Sequence, residues 1–144
     1  MAIDTSSRSA TEQANERLVR QSLDAANRRD VDGLQKNVAD EVKFVNPVTG
    51  PVDKEGMRGF HAQFFAGFPD IHYTIDRLVT EDQQVVVETT ITGTHKGELM
   101  GMAATGRRME ITAAFLIDVA DGKISKWHSY FDTATMLRQI GAMK

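Results

Sequence analysis

Apolar and polar positions alternate most regularly between Gln84 and Asp132. Three segments carry the pattern, Val85–Thr94, Met109–Val119 and Ile124–Phe131, and a period of two predicts strands. Between the last two stands Asp121-Gly122. That pair predicts a type I′ hairpin turn, because both central residues of such a turn need φ > 0. A long Gly/Met-rich connection joins the first two segments. A fourth strand, Ile71–Val79, precedes them, with Ile71, Tyr73 and Ile75 on one side and Glu81-Asp82 turning the chain. The expectation is one antiparallel sheet that must bury one face.

The chain before the sheet has helical spacing. Ser9-Ala10-Thr11-Glu12 has the capping-box pattern, and Ala14, Leu18, Ser22, Ala25 and Ala26 follow at helical intervals. Asp30 can cap a second, shorter helix with apolar positions Val31, Leu34 and Val38, weakened by about 1 kcal/mol at Gly33. Val42–Asn46 reads as a short strand stopped by Pro47, and Asn46–Pro51 as a turn-rich loop. Asp53 can cap a third helix carrying Met57, Phe60, Phe64 and Phe65. A last helix runs from Asp132 to Gly141. Helices segregated to one side of such a sheet make an α+β domain. We expect a single domain over residues 9–144, with residues 1–8 as a tail.

Composition narrows the function classes. With 144 residues the chain suits one domain. A net charge of −3 and only two adjacent basic pairs, Arg28-Arg29 and Arg107-Arg108, argue against a nucleic-acid surface. The lack of cysteine excludes disulfides, thiolate metal sites and a cysteine nucleophile, and agrees with a reducing compartment. Met1–Ala10 is polar, without the apolar core of a signal peptide, and no apolar run is long enough to span a membrane. A cytoplasmic protein is the expectation.

The histidines at 61, 72, 95 and 128 do not have metal-ligand spacing, and we expect no metal and no cofactor. Glycine-rich phosphate loops and a Gly-x-Ser-x-Gly elbow are also lacking. What remains is acid/base or electrostatic work in an apolar cavity. By alternation Ser125, Trp127, Ser129 and Phe131 point one way and Ile124, Lys126, His128 and Tyr130 the other. We take the Trp127 face as the inner one; a tryptophan at a dimer interface is the alternative. Asp132 suits a helix cap better than an acid/base. His95 either bonds a loop or serves as a pocket donor that titrates near neutrality. Asn46 is either a turn residue or a pocket hydrogen-bonder. The cluster Phe60, Phe64 and Phe65 reads as core that can also line a pocket.

Three blocks carry a family resemblance. They are Gly93-Thr94-His95-x-Gly97-Glu98-x-Met100-Gly101-Met102-x-x-Thr105-Gly106-Arg107, then Asp121-Gly122-Lys123-Ile124, then Leu137-Arg138-Gln139-Ile140-Gly141, and Phe68-Pro69-Asp70 agrees with them. From about residue 12 to 141 the chain resembles the SnoaL-like polyketide cyclases of the nuclear transport factor 2-like superfamily. The resemblance implies a cone of curved, mostly antiparallel sheet and three N-terminal-half helices around a deep pocket. It also implies a homodimer and cofactor-free chemistry on hydrophobic small molecules. His95, Asn46 and the aromatic Phe60 match family positions. The catalytic pair of the family's aldol cyclases does not carry over, since Ser129 stands at the aspartate position and Phe115 at the histidine position.

Two readings follow. In the first the protein is a cofactor-independent isomerase, cyclase or hydrolase acting on a polyketide- or terpenoid-like compound. His95, Asn46 and Ser129 are then the candidate catalytic groups, and Phe44, Phe60, Phe64, Thr89, Ile91, Phe115 and Trp127 the expected lining. In the second it is a non-catalytic ligand-binding or dimerisation module. A histidine or carboxylate reaching a cavity favours the first. Thr112, Ala114 and Leu116 form a partly apolar strip on the outer face, where we expect the homodimer contact.

Overall fold

The computed structural model describes residues 8–143. The tail expected over residues 1–8 therefore lies outside the described residues except at Arg8, which pairs with Glu16. The order of elements is α1 (Ala10–Asn27), α2 (Val31–Gln35), β1 (Val38–Asn46), β2 (Gly50–Val52), α3 (Lys54–Gly67), β3 (His72–Glu81), β4 (Gln84–Thr94), β5 (Arg108–Ala120), β6 (Lys123–Phe131) and α4 (Thr133–Gln139).

Local chemistry starts each helix. Ser9 and Glu12 form a reciprocal capping box on α1, satisfying two otherwise orphaned amides. Asp30, Asp53 and Asp132 accept the amides of Gly33, Gly56 and Thr135 at the starts of α2, α3 and α4. At the far end of α4, Gly141 takes φ +83°, and the amides of Gly141 and Ala142 return to Arg138 and Leu137.

The buried stripe of α1 is Asn15, Val19, Ser22, Leu23 and Ala26, joined by Ala25. It is rotated from the expected one, leaving Ala14 exposed. Asn15 is drawn inward because its side-chain amide donates to the Asp82 carbonyl at the β3–β4 turn. Val38 belongs to β1 and not to the second helix: it pairs with Ile124 across the sheet, and that pairing overrides the local helical spacing. The strand expected over residues 42–46 is accordingly longer. The segment read as a plain loop doubles back at Gly50 (φ +70°) and adds β2 antiparallel to β1.

The six strands form one curved, open sheet in the order β2-β1-β6-β5-β4-β3. The four strands from β3 to β6 pair antiparallel as expected. β1 joins the sheet parallel to β6. The β5–β6 turn is the Asp121-Gly122 pair, with φ of +52° and +74°. Strict alternation fails in β6. Asp118 faces Lys126 and Val119 faces Ile124, so Ser125 is a bulge residue and Ile124 turns inward on the same side as Trp127. Ser125 spends its hydroxyl on the Asp118 carbonyl.

Helix α1 packs on β3 and β4, α3 on β1, and α4 on β5. Between them lie Phe44, Phe68, Met57, Ile117, Ile124 and Trp127, each 2% exposed or less. Burying a side chain of this size contributes about 1.5–3 kcal/mol. Beyond the end of β6 the edge of β5 would be bare at Glu110. There the Gln139 amide of α4 bonds both the Glu110 amide and its carbonyl at 2.9 Å, standing in for a neighbouring strand.

Candidate functional site

The helices and the inner sheet face enclose one apolar cavity, lined from α1, α2, α3, the four strands β3 to β6, and α4. About 40 Å³ of it is open to the centres of water molecules. That is narrower than the deep pocket the resemblance implies. The cause is a train of packed rings: Phe60 lies 4.6 Å from Phe64, Phe44 5.2 Å from Phe60, and Phe115 5.1 Å from Trp127, centroid to centroid.

Of the residues singled out from the sequence, Phe60, Phe64, Ile91, Phe115, Trp127 and Ser129 line this cavity. Trp127 is inside the cone and 2% exposed, so it is no dimer contact. Phe44, Thr89, Asn46 and His95 are buried but are not part of the lining. Phe44 supports the lining from behind, its ring 5.3 Å from His61 and 6.4 Å from Trp127. Thr89 donates to the Thr74 carbonyl at 2.7 Å, next to the β3 irregularity between Ile75 and Arg77. Asn46 is spent on its own turn: Oδ1 accepts the amides of Val48 and Thr49, and Nδ2 donates to the Thr49 hydroxyl.

His95 follows β4 and knots the connection to β5. Its backbone exchanges hydrogen bonds with Arg107 and Gly106, its Nδ1 meets the Thr105 hydroxyl at 3.0 Å, and its ring packs on Phe68. Asp132 caps α4, and the hydrogen bonds from Thr135 hold its carboxyl below the usual carboxylate range.

Two polar lining residues lie outside the candidates named from the sequence, His61 and Tyr73. Their signal was present: Met57, His61, Phe64 and Phe65 fall on one face of a helix, and that face is buried. Tyr73 alternates with Ile71 and Ile75 on the inner side of its strand. His61 is 5% exposed, and its Nδ1 lies 3.0 Å from the Met57 carbonyl one turn back. A carbonyl can only accept, so the proton sits on Nδ1 and Nε2 keeps its lone pair. Nε2 has no protein partner among the described residues, yet it is not sealed in, so it opens on the cavity. Burial pushes the His61 pKa from the ordinary 6.5 down to about 4, against a smaller opposing effect of the Met57 bond. The ring is therefore neutral at physiological pH. Burial also raises the Tyr73 phenol well above its usual range, so it stays protonated and able to donate.

Ser129 is 4% exposed and accepts a hydrogen bond from the Trp127 indole at 3.0 Å. Its own hydroxyl proton remains available. No side chain of Asp, Glu, Lys or Arg among the described residues lines the cavity. Among the described residues no three His, Asp or Glu side chains are grouped to hold a metal ion, and no helix is long and apolar enough to cross a membrane. The arrangement combines a neutral nitrogen base and two hydroxyl donors in an otherwise apolar space.

Comparison with solved structures supports the same architecture. A proposed SnoaL-like polyketide cyclase from Jannaschia sp. CCS1 superposes with a TM-score of 0.87 at 22% identity, over 99% of this chain and 100% of that one. IdmH, a proposed polyketide cyclase from Streptomyces antibioticus, gives 0.77 at 29% identity over 88% and 98%. TsrD from Streptomyces laurentii gives 0.79 at 25% identity over 99% and 100%. No curated protein is significantly similar in sequence. The sequence model of the SnoaL-like polyketide cyclases matches residues 16–140, and with nearly the whole chain matched the protein belongs to that family.

Proposed function

We propose that this protein binds a hydrophobic, uncharged small molecule inside the cone and carries out cofactor-independent proton-transfer chemistry on it. The reaction is of the isomerase or cyclase type, or a hydrolysis, on a polyketide- or terpenoid-like compound. The observation that carries this reading is a histidine nitrogen opening on an apolar cavity that also holds the Ser129 and Tyr73 hydroxyls. Family membership and IdmH, itself a proposed polyketide cyclase, support the same class.

Size favours an adaptable site. The open space holds about three waters. A multi-ring ligand therefore requires the lining to yield, and half-buried Phe60 and Phe131 are the large rings freest to move. For the assembled state we propose a homodimer through the outer sheet face, where Thr112 is exposed and Ala114 and Leu116 are half-buried. Light scattering at micromolar concentration should give twice the chain mass.

Native mass spectrometry of protein from its own cells, followed by extraction, tests the main reading. Recovery of an uncharged, mostly carbocyclic compound that quenches Trp127 on re-addition supports it. A charged metabolite, or a bound compound that leaves Trp127 fluorescence unchanged, overturns it.

A further inference from the structure

We propose, resting on the reading of the cavity as a proton-transfer site, that His61 is the base that touches the substrate. Its Nε2 would take the proton from a carbon next to a carbonyl group, while Ser129 and Tyr73 donate to the carbonyl oxygen. The assignment moves the chemistry from the strands, where Ser129 and Phe115 offer no carboxylate and no imidazole, to helix α3.

Geometry is the first support. The Met57 carbonyl fixes both the ring orientation and the tautomer, so the free lone pair is held on the cavity side. The His95 Nε2 also lacks a partner among the described residues, but it is sealed in, whereas the His61 Nε2 belongs to a side chain that lines the cavity. In His61 one nitrogen is satisfied and the other is left facing the open space. Four rings pack around it: Phe60, Phe44, Phe65 and Trp127 have centroids within 6.3 Å of the His61 ring. Such packing limits rotation.

The second support is the absence of rivals. Among the described residues no carboxylate and no lysine lines the cavity, and His61 is the lining side chain whose free nitrogen lone pair can take a proton from a bound substrate. Burial keeps it in the unprotonated form that a base requires. The Trp127 indole donates to Ser129 Oγ, which leaves the serine O–H free to donate and strengthens it as a donor.

The step balances without a further reagent. The C–H bond breaks, its electron pair forms the C=C bond of an enolate, and the carbonyl π pair moves to oxygen. The proton becomes the Nε2–H of an imidazolium. That cation forms only beside the enolate anion, so the cavity stays neutral overall and the charge separation is short. Return of the proton to a different carbon completes an isomerisation. Attack of the enolate carbon on a second carbonyl forms a C–C bond, and the proton then goes to the new alkoxide.

The test uses 2-indanone, an uncharged compact ketone with acidic α-hydrogens, in deuterated buffer. Trp127 fluorescence reports binding, and NMR reports α-hydrogen exchange. The parent should quench and accelerate exchange. His61→Gln and His61→Phe should both still quench but lose about 100-fold or more of the acceleration, and Ser129→Ala and Tyr73→Phe should lose less. In the folded parent, the 15N resonance of the His61 Nε2 should move on adding the ketone, a readout that needs no variant. Binding with unchanged exchange in both His61 variants, binding with no acceleration in the parent, or an unmoved Nε2 resonance overturns the base assignment and leaves the ligand site standing. No Trp127 response to 2-indanone defeats both.

Discussion

Trp127 and Ser129 lie two residues apart on one strand, and the indole Nε1–H donates to the serine Oγ at 3.0 Å. Both side chains point into the cone and are almost fully buried, so each resolves a polar atom that the other would leave unpaired. Ser129→Asp puts a carboxyl in that place. Burial among Phe115, Trp127 and Met136 must raise its pKa above the unfolded value. Below the unfolded pKa both states are protonated and the variant bears no ionisation cost. As pH rises past it the unfolded chain loses a proton that the folded chain keeps, so stability falls. The gap between parent and Ser129→Asp should therefore widen from pH 5 to pH 7 in thermal melts. An unchanged gap would place position 129 in solvent.

His61 gives the parent its own pH dependence. Between its folded value of about 4 and the ordinary 6.5, the unfolded chain binds a proton that the folded chain does not. Stability is thus present above 6.5 and declines as pH falls toward 4, by up to about 3 kcal/mol. His61→Phe should remove this slope. Urea denaturation of both proteins at pH 7 and pH 4.5 checks it, since parallel losses would assign the slope to other groups.

Gly97 sits where the chain has no room for a methyl group. A Cβ there would stand 2.0 Å from the Ala66 carbonyl oxygen, while the amides of Lys96 and Gly97 both reach the Gly67 carbonyl at 3.1 Å. Gly97→Ala should cost about 1–3 kcal/mol by forcing this connection off the end of α3. Chemical denaturation reads the loss; a neutral result would mean that the loop is free to shift.

The bulge at Ser125 predicts an asymmetry between two deletions. Removing Ser125 restores two-residue alternation and keeps Ile124 and Trp127 inside, at the expense of its bond to the Asp118 carbonyl. Removing His128 turns Trp127 and everything before it on the strand to the opposite face. The first variant should fold with a buried tryptophan emission, and the second should not. Equal behaviour would show that the bulge does not set the faces.

Much of the fold was legible because its signals are local. Asp121-Gly122 needs only its own backbone to specify a hairpin, and Ser9, Asp30, Asp53 and Asp132 cap helices with atoms three residues away. Helical spacing misplaces Val38, because its partner, Ile124, is far along the chain and outweighs the local pattern. The faces of β6 followed alternation only down to Lys126, since no residue type announces a bulge. At the site, Ser129 and the aromatic lining follow from strand and helix periodicity. His61 has no metal-ligand spacing to mark it, and the signal that places it at the cavity is its position on the buried Met57–Phe64 face of α3.

The parallel contact between β1 and β6 has a consequence during synthesis. The ribosome makes β1 well before its partner β6, so Phe44 and Val42 lack that strand to lie beside while the intervening chain emerges. Nascent chains ending before Lys123 should accordingly expose apolar surface to chaperones and to protease, and become resistant only once β6 has cleared the exit tunnel. Resistance at shorter lengths would mean that α1 to α3 and β1 form a stable unit by themselves.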